Sequence, residues 1–102
     1  MREKVIEQKL VSEVKKRGGI CPKWVCPSYD GMPDRLVLLP PMPGEDQGHL
    51  GMIECKAPGQ KPRPLQLSRH KLLRKLGFQV YVIDNTRNII EVIDEIEGGD
   101  AK

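Results

Sequence analysis

Apolar positions along the chain follow two different periods and predict seven secondary-structure elements. Apolar side chains recur at the helical spacing of three to four positions in three segments, residues 2–17, 65–76 and 87–97. Four shorter runs are rich in aliphatic and β-branched side chains, as strands are, at residues 20–27, 35–39, 50–56 and 78–84. The predicted order is therefore helix, strand, strand, strand, helix, strand, helix.

This order predicts an α/β fold, a small mixed sheet with helices packed on its faces. The run 78–84 follows a helical crossover, so we expect it to lie parallel to 50–56. Pro22 limits the run 20–27 to an edge of the sheet or to a late start. Each helix has a predicted core stripe, and the three stripes are Val5, Ile6, Leu10, Val11 and Val14; Leu65, Leu72, Leu73 and Leu76; and Ile89, Ile90, Ile93 and Ile96.

The runs 35–39 and 50–56 are predicted to pair as an antiparallel hairpin. Residues 40–48 between them contain three prolines and two glycines and must form the loop. A hairpin centred on Gly44 places position 34 opposite position 54. Because side chains alternate along a strand, Glu54 and Lys56 share one face and Cys55 points to the other. Asp34, Glu54 and Lys56 are therefore expected to converge at the open end of the hairpin.

Two carboxylates at that separation repel each other and favour a cation between them. Their hard oxygens suit Mg²⁺ or Mn²⁺, which also bind phosphate oxygens. An amine beside such an ion is placed to orient or deprotonate a water that attacks phosphorus. The pattern thus suggests a metal-dependent phosphodiesterase. The alternative is a surface hairpin carrying ordinary charges.

Composition and charge limit the possible classes of protein. The 102 residues fit one domain, 1–102, and the net charge of +3 with a pI near 8.8 is compatible with a nucleic-acid partner. No apolar run is long enough for a membrane span, so no membrane association is expected. Three cysteines, with Cys21 and Cys26 lacking a second pair, argue against structural zinc and for reduced thiols in a cytosolic protein.

Charged residues outside the hairpin add candidate groups to the site. Glu3 and Glu7 fall within the apolar stripe of the first helix and Glu13 on its flank, so one of them either projects toward a metal site or simply reaches solvent. Asp30 is a further candidate acid or a turn residue. The segment from 57 to 83 has no acidic residue and carries a basic cluster that reads as a phosphate-contact surface or a solvated helix face, namely Lys61, Arg63, Arg69, Lys71 and Arg74, with Lys75 beside them.

Several short motifs together resemble the virus-type replication-repair nuclease (VRR-Nuc) domain of the PD-(D/E)xK nuclease superfamily, in its stand-alone phage or prophage form. They are Gly31-Met32-Pro33-Asp34-Arg35, Glu54-x-Lys56-Ala57-Pro58-Gly59, Leu65-Gln66, and Gly77-Phe78 followed by Val80 to Asp84. The spacing of the first two motifs is the most specific part. The likeness extends over positions 3 to 95 and implies the restriction-endonuclease-like αβββαβ core.

The resemblance implies a role for each matching residue. Asp34 and Glu54 resemble the metal-binding carboxylates, joined by the backbone carbonyl of Cys55. Lys56 resembles the lysine that positions the attacking water. Glu7 resembles the helix-borne acid that acts through a metal-bound water, with Glu3 and Glu13 as alternatives, and Gln66 matches a glutamine near the site.

The resemblance also implies partners and a location. It predicts Mg²⁺ or Mn²⁺ as cofactor, branched DNA such as a Holliday junction as substrate, a homodimer, and the cytoplasm of a bacterial or phage-infected cell. Candidate dimer contacts are the Trp24 strand and Ile89, Ile90 and Val92. Two alternatives remain open at this point: a non-catalytic DNA-binding module, and a nuclease that prefers duplex or flap DNA.

Overall fold

A computed structural model describes residues 2–98. It contains three helices and three strands, with a short 3-10 helix, Thr86–Asn88, before the last helix. The helices are α1 (Glu3–Lys16), α2 (Pro64–Lys75) and α3 (Ile89–Ile96), and the strands are β1 (Arg35–Leu39), β2 (His49–Cys55) and β3 (Val80–Ile83). In the described part of the chain, no helix combines the length and apolarity that crossing a membrane requires.

The sheet has the order β1-β2-β3, with β2 in the centre. β1 pairs antiparallel with β2, and Arg35 lies opposite Ile53, which is the register predicted for a hairpin centred on Gly44. β3 pairs parallel with β2 and places Val82 opposite Glu54. The predicted α/β fold, with a mixed sheet and a parallel crossover, is therefore confirmed.

The segment 20–27 is not the regular strand that the sequence predicts. It pairs antiparallel with β1 through two isolated bridges, Ile20 to Leu38 and Lys23 to Arg35. The backbone N–H of Leu36 donates to the carbonyl of Pro22 at 3.1 Å, but Pro22 has no N–H to donate in return. The ladder is interrupted at the proline, and the segment remains an irregular edge beside β1.

The larger apolar core lies on one face of the sheet, beneath α1 and α3. It contains Ile6, Leu10, Val14, Cys21, Val37, Leu39, Ile53, Cys55, Ile83, Ile89, Val92, Ile93 and Ile96. A second, smaller cluster of Met52, Leu73 and Val80 joins α2 to the other face. Alternation along β2 therefore sends Ile53 and Cys55 to one layer and Met52 to the other.

The predicted core stripes need correction at several positions. Val5 and Ile90 are exposed. Ile89 and Val92, two of the candidate dimer contacts, are buried in the core and are not available to a partner.

The stripe predicted for α2 is largely wrong, because Leu65, Leu72 and Leu76 are exposed. The buried positions of α2 are Gln66, His70 and Leu73. These three residues share one helix face, and two of them are polar because that face covers the end of β2 where Glu54 lies.

Gly51 allows α3 to pack closely on β2, and its replacement by alanine tests this contact. A Cβ at position 51 would lie 2.3 Å from Cδ1 and 2.7 Å from Cγ1 of Ile96. We expect Gly51→Ala to lower the free energy of unfolding by about 1–3 kcal/mol in urea denaturation. Because Ile96→Val removes the nearest methyl group, the double variant should lose less stability than the sum of the two single variants. Strict additivity would contradict this account.

Candidate active site

The turn that leads into Asp34 is fixed against α2. Gly31 has φ +88°, and a Cβ there would lie 2.8 Å from Cγ of Leu65, so the turn requires glycine both for its backbone conformation and for space. Arg69 reaches from α2 to this turn, donates from Nε to the carbonyl of Asp30 at 2.7 Å and lies 3.8 Å from the ring centre of Tyr29. The carbonyl contact identifies Asp30 as part of the turn that positions Asp34.

Main-chain pairing brings Asp34 to the end of β2. Its N–H donates to the carbonyl of Ile53 at 3.1 Å. Its Oδ1 accepts from the N–H of Cys55 at 3.2 Å. The Cys55 peptide therefore adjoins the Asp34 carboxylate, and the Cys55 side chain is buried in the core.

Glu54 is held by a buried amide on α2. Its side chain is nearly inaccessible, and its Oε2 accepts from Nε2 of Gln66 at 3.0 Å. Oε1 of Gln66 accepts from the backbone N–H of Arg63 at 2.8 Å, at the start of the helix. Because that backbone donor requires an oxygen, the amide of Gln66 can present only its NH₂ group to Glu54.

Lys56 lies on the same side of β2 as Glu54. Its Nζ is 3.9 Å from Oε2 of Glu54. This is the arrangement that alternation along the strand predicts, with an ammonium group beside a buried carboxylate. The structure thus brings Asp34, Glu54, Lys56 and Gln66 together at one end of the hairpin.

Both carboxyl groups hold their protons more tightly than usual. Burial raises the pKa of Asp34 to about 6, and the charges of Glu7 and Glu3 add to this, while the Cys55 N–H opposes it. Burial and then the charge of Asp34 raise the pKa of Glu54 to about 7, against the opposing charges of Lys56 and Arg63. Carboxyl groups whose pKa values are raised by burial and by neighbouring negative charges are common at functional sites.

His70 is a site residue that the sequence analysis did not identify. It lies one turn after Gln66 on α2, is completely buried, and places Nε2 3.7 Å from Oε1 of Glu54. Burial lowers the pKa of His70, and the positive charges of Arg74 and Lys56 act in the same direction. The spacing of Gln66 and His70 by four residues was the available signal, since such residues share a helix face.

The acids of α1 occupy different environments. Glu7 pairs with Arg35, whose Nε and Nη2 lie 3.0 and 2.9 Å from Oε1 of Glu7. Arg35 also donates to the carbonyl of Cys21 at 2.9 Å. The charge of Glu3 raises the pKa of both Asp34 and Glu54. Glu13 is paired instead with Lys9 and Lys16.

The predicted phosphate-contact residues divide into two groups. Lys61, Arg63 and Lys71 are exposed, and Arg63 acts electrostatically on Glu54. Arg69 holds the turn before Asp34, and Arg74 donates to the carbonyl of Val80 at 2.9 Å. The second group therefore has a structural task as well as a charge.

The donor set fits a hard divalent cation that keeps part of its water shell. Across residues 2–98, three or more His, Cys, Asp or Glu side chains nowhere cluster as a complete ligand set. The two carboxylates and the adjacent peptide suit Mg²⁺ or Mn²⁺, which retain waters. Oε1 of Glu54 is buried without a hydrogen-bond partner in the described structure. Since such an oxygen is costly to bury, a cation is a suitable partner for it.

The raised pKa of Asp34 predicts how Asp34→Asn changes stability with pH. The pKa of this carboxyl group is about 4 in the unfolded chain and higher in the folded protein. Its contribution to the free energy of unfolding is therefore favourable at low pH, and it is lost as the pH rises from about 4 through the folded-state pKa. In EDTA at pH 8, Asp34→Asn should therefore increase the free energy of unfolding by on the order of 1 kcal/mol. This gain should vanish near pH 4. Urea denaturation at both pH values measures this change in the free energy of unfolding. Asp46→Asn, in the exposed hairpin loop, is the control. An equal effect of Asp34→Asn at both pH values would contradict the prediction.

Comparison with known proteins places this site in a family. No family model matches the chain. "Putative nuclease p44" of Acyrthosiphon pisum secondary endosymbiont phage 1 is 52% identical over 85 residues, which are 83% of this chain and 85% of that protein. A solved structure described as "VRR_NUC domain" shares 28% identity at a TM-score of 0.78, over 90% of this chain and 94% of that chain. Another, "VRR_NUC domain protein", shares the fold at 19% identity and a TM-score of 0.67, over 94% and 88% of the two chains. On the strength of the phage relative and the matching domain structure, this chain belongs to the VRR-Nuc family of nucleases.

Proposed function

We propose that this nuclease is a Mg²⁺- or Mn²⁺-dependent DNA endonuclease that cuts four-way junctions as a homodimer. The observation that carries the metal-dependent chemistry is the meeting of Asp34, Glu54 and Lys56 at one end of the hairpin, where Oε1 of Glu54 is buried without a hydrogen-bond partner among residues 2–98. The junction preference and the dimer rest on the resemblance to small junction resolvases. The phage relative supports action in the cytoplasm of a bacterial or phage-infected cell.

Asp34 and Glu54 would hold the divalent ion, with the Cys55 carbonyl as a further ligand. The bound ion supplies Lewis-acid stabilisation of the charge that develops on the phosphate. Gln66 fixes the rotation of Glu54 through one oxygen. The protein's contribution at this step is to hold two oxygen ligands in place before the substrate arrives, which lowers the cost of reorganisation.

Lys56 acts on the water. Its Nζ lies 3.9 Å from Oε2 of Glu54, where the ammonium form would orient a water for in-line attack on phosphorus and the neutral amine form would accept a proton from that water. The water oxygen forms a bond to phosphorus as the bond to the 3′ oxygen breaks. The products are a 5′-phosphate and a 3′-hydroxyl, and no covalent enzyme intermediate forms.

Glu7 is the proposed helix-borne acid, acting through a water, and Arg35 fixes its carboxylate toward the end of the hairpin. Its charge already acts on Asp34. Glu3 acts on both hairpin carboxylates and is the alternative for this role. Comparing Glu7→Gln with Glu3→Gln at saturating metal distinguishes them.

Exposed basic residues would bind the DNA backbone. Lys61 and Arg63 precede α2 and Lys71 lies on it, and we propose that these three exposed side chains form one DNA-contact surface. Such contacts fix position and orientation without reading bases, which suits recognition of DNA shape. Arg69 and Arg74 add charge to this surface while they hold the turn and β3.

Lys56→Ala tests the chemistry. With Mg²⁺ or Mn²⁺, we expect the parent to cut both paired strands of a labelled four-way junction and to leave the matching linear duplex intact. Lys56→Ala should reduce the rate by about 10²-fold or more while binding persists in a gel shift. Lys9→Ala, whose lysine is already paired with Glu13, is the matched control.

Each other outcome of that assay selects another function. Equal cutting of junction and duplex would discard the shape preference and keep the chemistry. Cutting of flaps in preference to junctions would assign a different branched substrate. A parent that shifts the junction but never nicks it with either ion would be a binding module. Light scattering of the parent bound to junction DNA tests the homodimer.

Lys61→Ala tests the backbone-contact surface. Removing one phosphate contact should weaken junction binding and lower the slope of log K against log salt by about 1. Binding is measured in EDTA between low and physiological salt, with Lys9→Ala as the control for net charge. A slope equal to that of the parent would remove Lys61 from the interface.

A further inference from the structure

The imidazole of His70 is buried beside the proposed metal site without a hydrogen bond. Its side chain has no exposed surface, and neither ring nitrogen finds a partner among the described residues. Nε2 lies 3.7 Å from Oε1 of Glu54, which is itself buried and without a partner in the same part of the chain. Nε2 of His70 and Oε1 of Glu54 are therefore two buried polar atoms that lie close together and lack hydrogen-bond partners.

Packing alone does not account for a histidine at this position. The next buried residue of α2 is Leu73, which contacts Met52 and Val80 as an ordinary apolar core residue. An apolar side chain at position 70 would avoid the cost of burying two ring nitrogens without hydrogen-bond partners. The histidine at position 70 is therefore best explained by an effect on the position of the Glu54 carboxylate.

We propose that His70 is a positioning residue that donates its Nε2–H to Oε1 of Glu54 and so fixes this carboxylate for the divalent ion. This inference rests on the proposed metal-dependent function. Gln66, on the same face of α2, already donates to Oε2 of Glu54. The two α2 residues would therefore donate hydrogen bonds to both oxygens of one carboxylate. Each carboxylate oxygen has two lone pairs, so a hydrogen bond to Oε1 leaves a lone pair for the ion.

The geometry needs only a small adjustment. Closing the gap from 3.7 Å to the usual N–H···O range takes a movement of about 0.5–1 Å. The proposal requires a proton on Nε2, and either the neutral Nε2–H tautomer or the imidazolium supplies one. Residues that orient metal ligands in this way typically contribute 10–100-fold to metal affinity.

The test compares His70→Met with His70→Gln. The two replacements have similar length and helix propensity, but glutamine keeps an N–H donor and methionine does not. The readout is the Kd for Mn²⁺ measured by calorimetry on the full chain without DNA. We expect His70→Met to weaken Mn²⁺ binding by about tenfold or more and His70→Gln to restore most of the affinity.

Two further variants separate positioning from folding. Leu73→Ala damages the core on the same helix, so it should lower the urea midpoint and leave the Kd for Mn²⁺ near that of the parent. Gln66→Met removes the hydrogen bond that is already formed and should weaken Mn²⁺ binding to a similar degree as His70→Met. Equal losses in His70→Met and His70→Gln would overturn the inference, as would an unchanged Kd in His70→Met.

The same measurement distinguishes the failure of this inference from the failure of the metal site itself. If the parent does not bind Mn²⁺, or if Asp34→Asn binds it as tightly as the parent does, the proposed metal-dependent function fails. If the parent binds Mn²⁺, Asp34→Asn loses that binding and His70→Met retains it, then the role of His70 alone is rejected.

Discussion

The structure depends on holding a buried carboxyl group, that of Glu54, and a half-buried one, that of Asp34, at the same end of a hairpin. The charge of Asp34 raises the pKa of Glu54, so bringing the two carboxyl groups together opposes folding unless other contacts fix their positions. The antiparallel ladder of β1 and β2 supplies that constraint through main-chain bonds, which do not depend on side-chain identity. The ladder on the other edge of β2, to β3, makes the strand that carries Glu54 the centre of the sheet.

The helix α2 shows how this constraint extends into the packing of the fold. On its buried face, Gln66 and His70 lie beside Glu54, and Leu73, further along the helix, packs in the second apolar cluster. The helix is therefore attached to the sheet partly through the site and partly through a small core. Arg69 and Arg74 strengthen the attachment by donating to carbonyls at either end of the helix.

Much of the fold follows from the sequence because it depends on local pattern. Prolines and glycines fix the hairpin loop, the loop fixes the register, and the register brings Asp34 to Glu54. The parallel placement of β3 follows from the handed crossover. The orientation of α2 was not predictable in this way, since three of the four leucines that marked its core stripe are exposed, and Leu73 shares the buried face with Gln66 and His70. Periodicity assumes that burial means an apolar environment, and this assumption fails where a helix packs on a polar site. The strand predicted for residues 20–27 was wrong for a different reason, because Pro22 has no N–H to continue the ladder.

The loop at residues 40–48 has a consequence for the architecture of longer nucleases. Every residue in it is exposed, and it lies at the closed end of the hairpin, five ladder pairs from the carboxylates. That separation is roughly 17 Å along the strands. Since the five ladder pairs hold β1 and β2 together independently of what lies at the tip of the loop, a module inserted at Gly44 would leave Asp34 and Glu54 in place. The hairpin tip is thus a suitable insertion site, at which a substrate-recognition domain can be added without changing the active site.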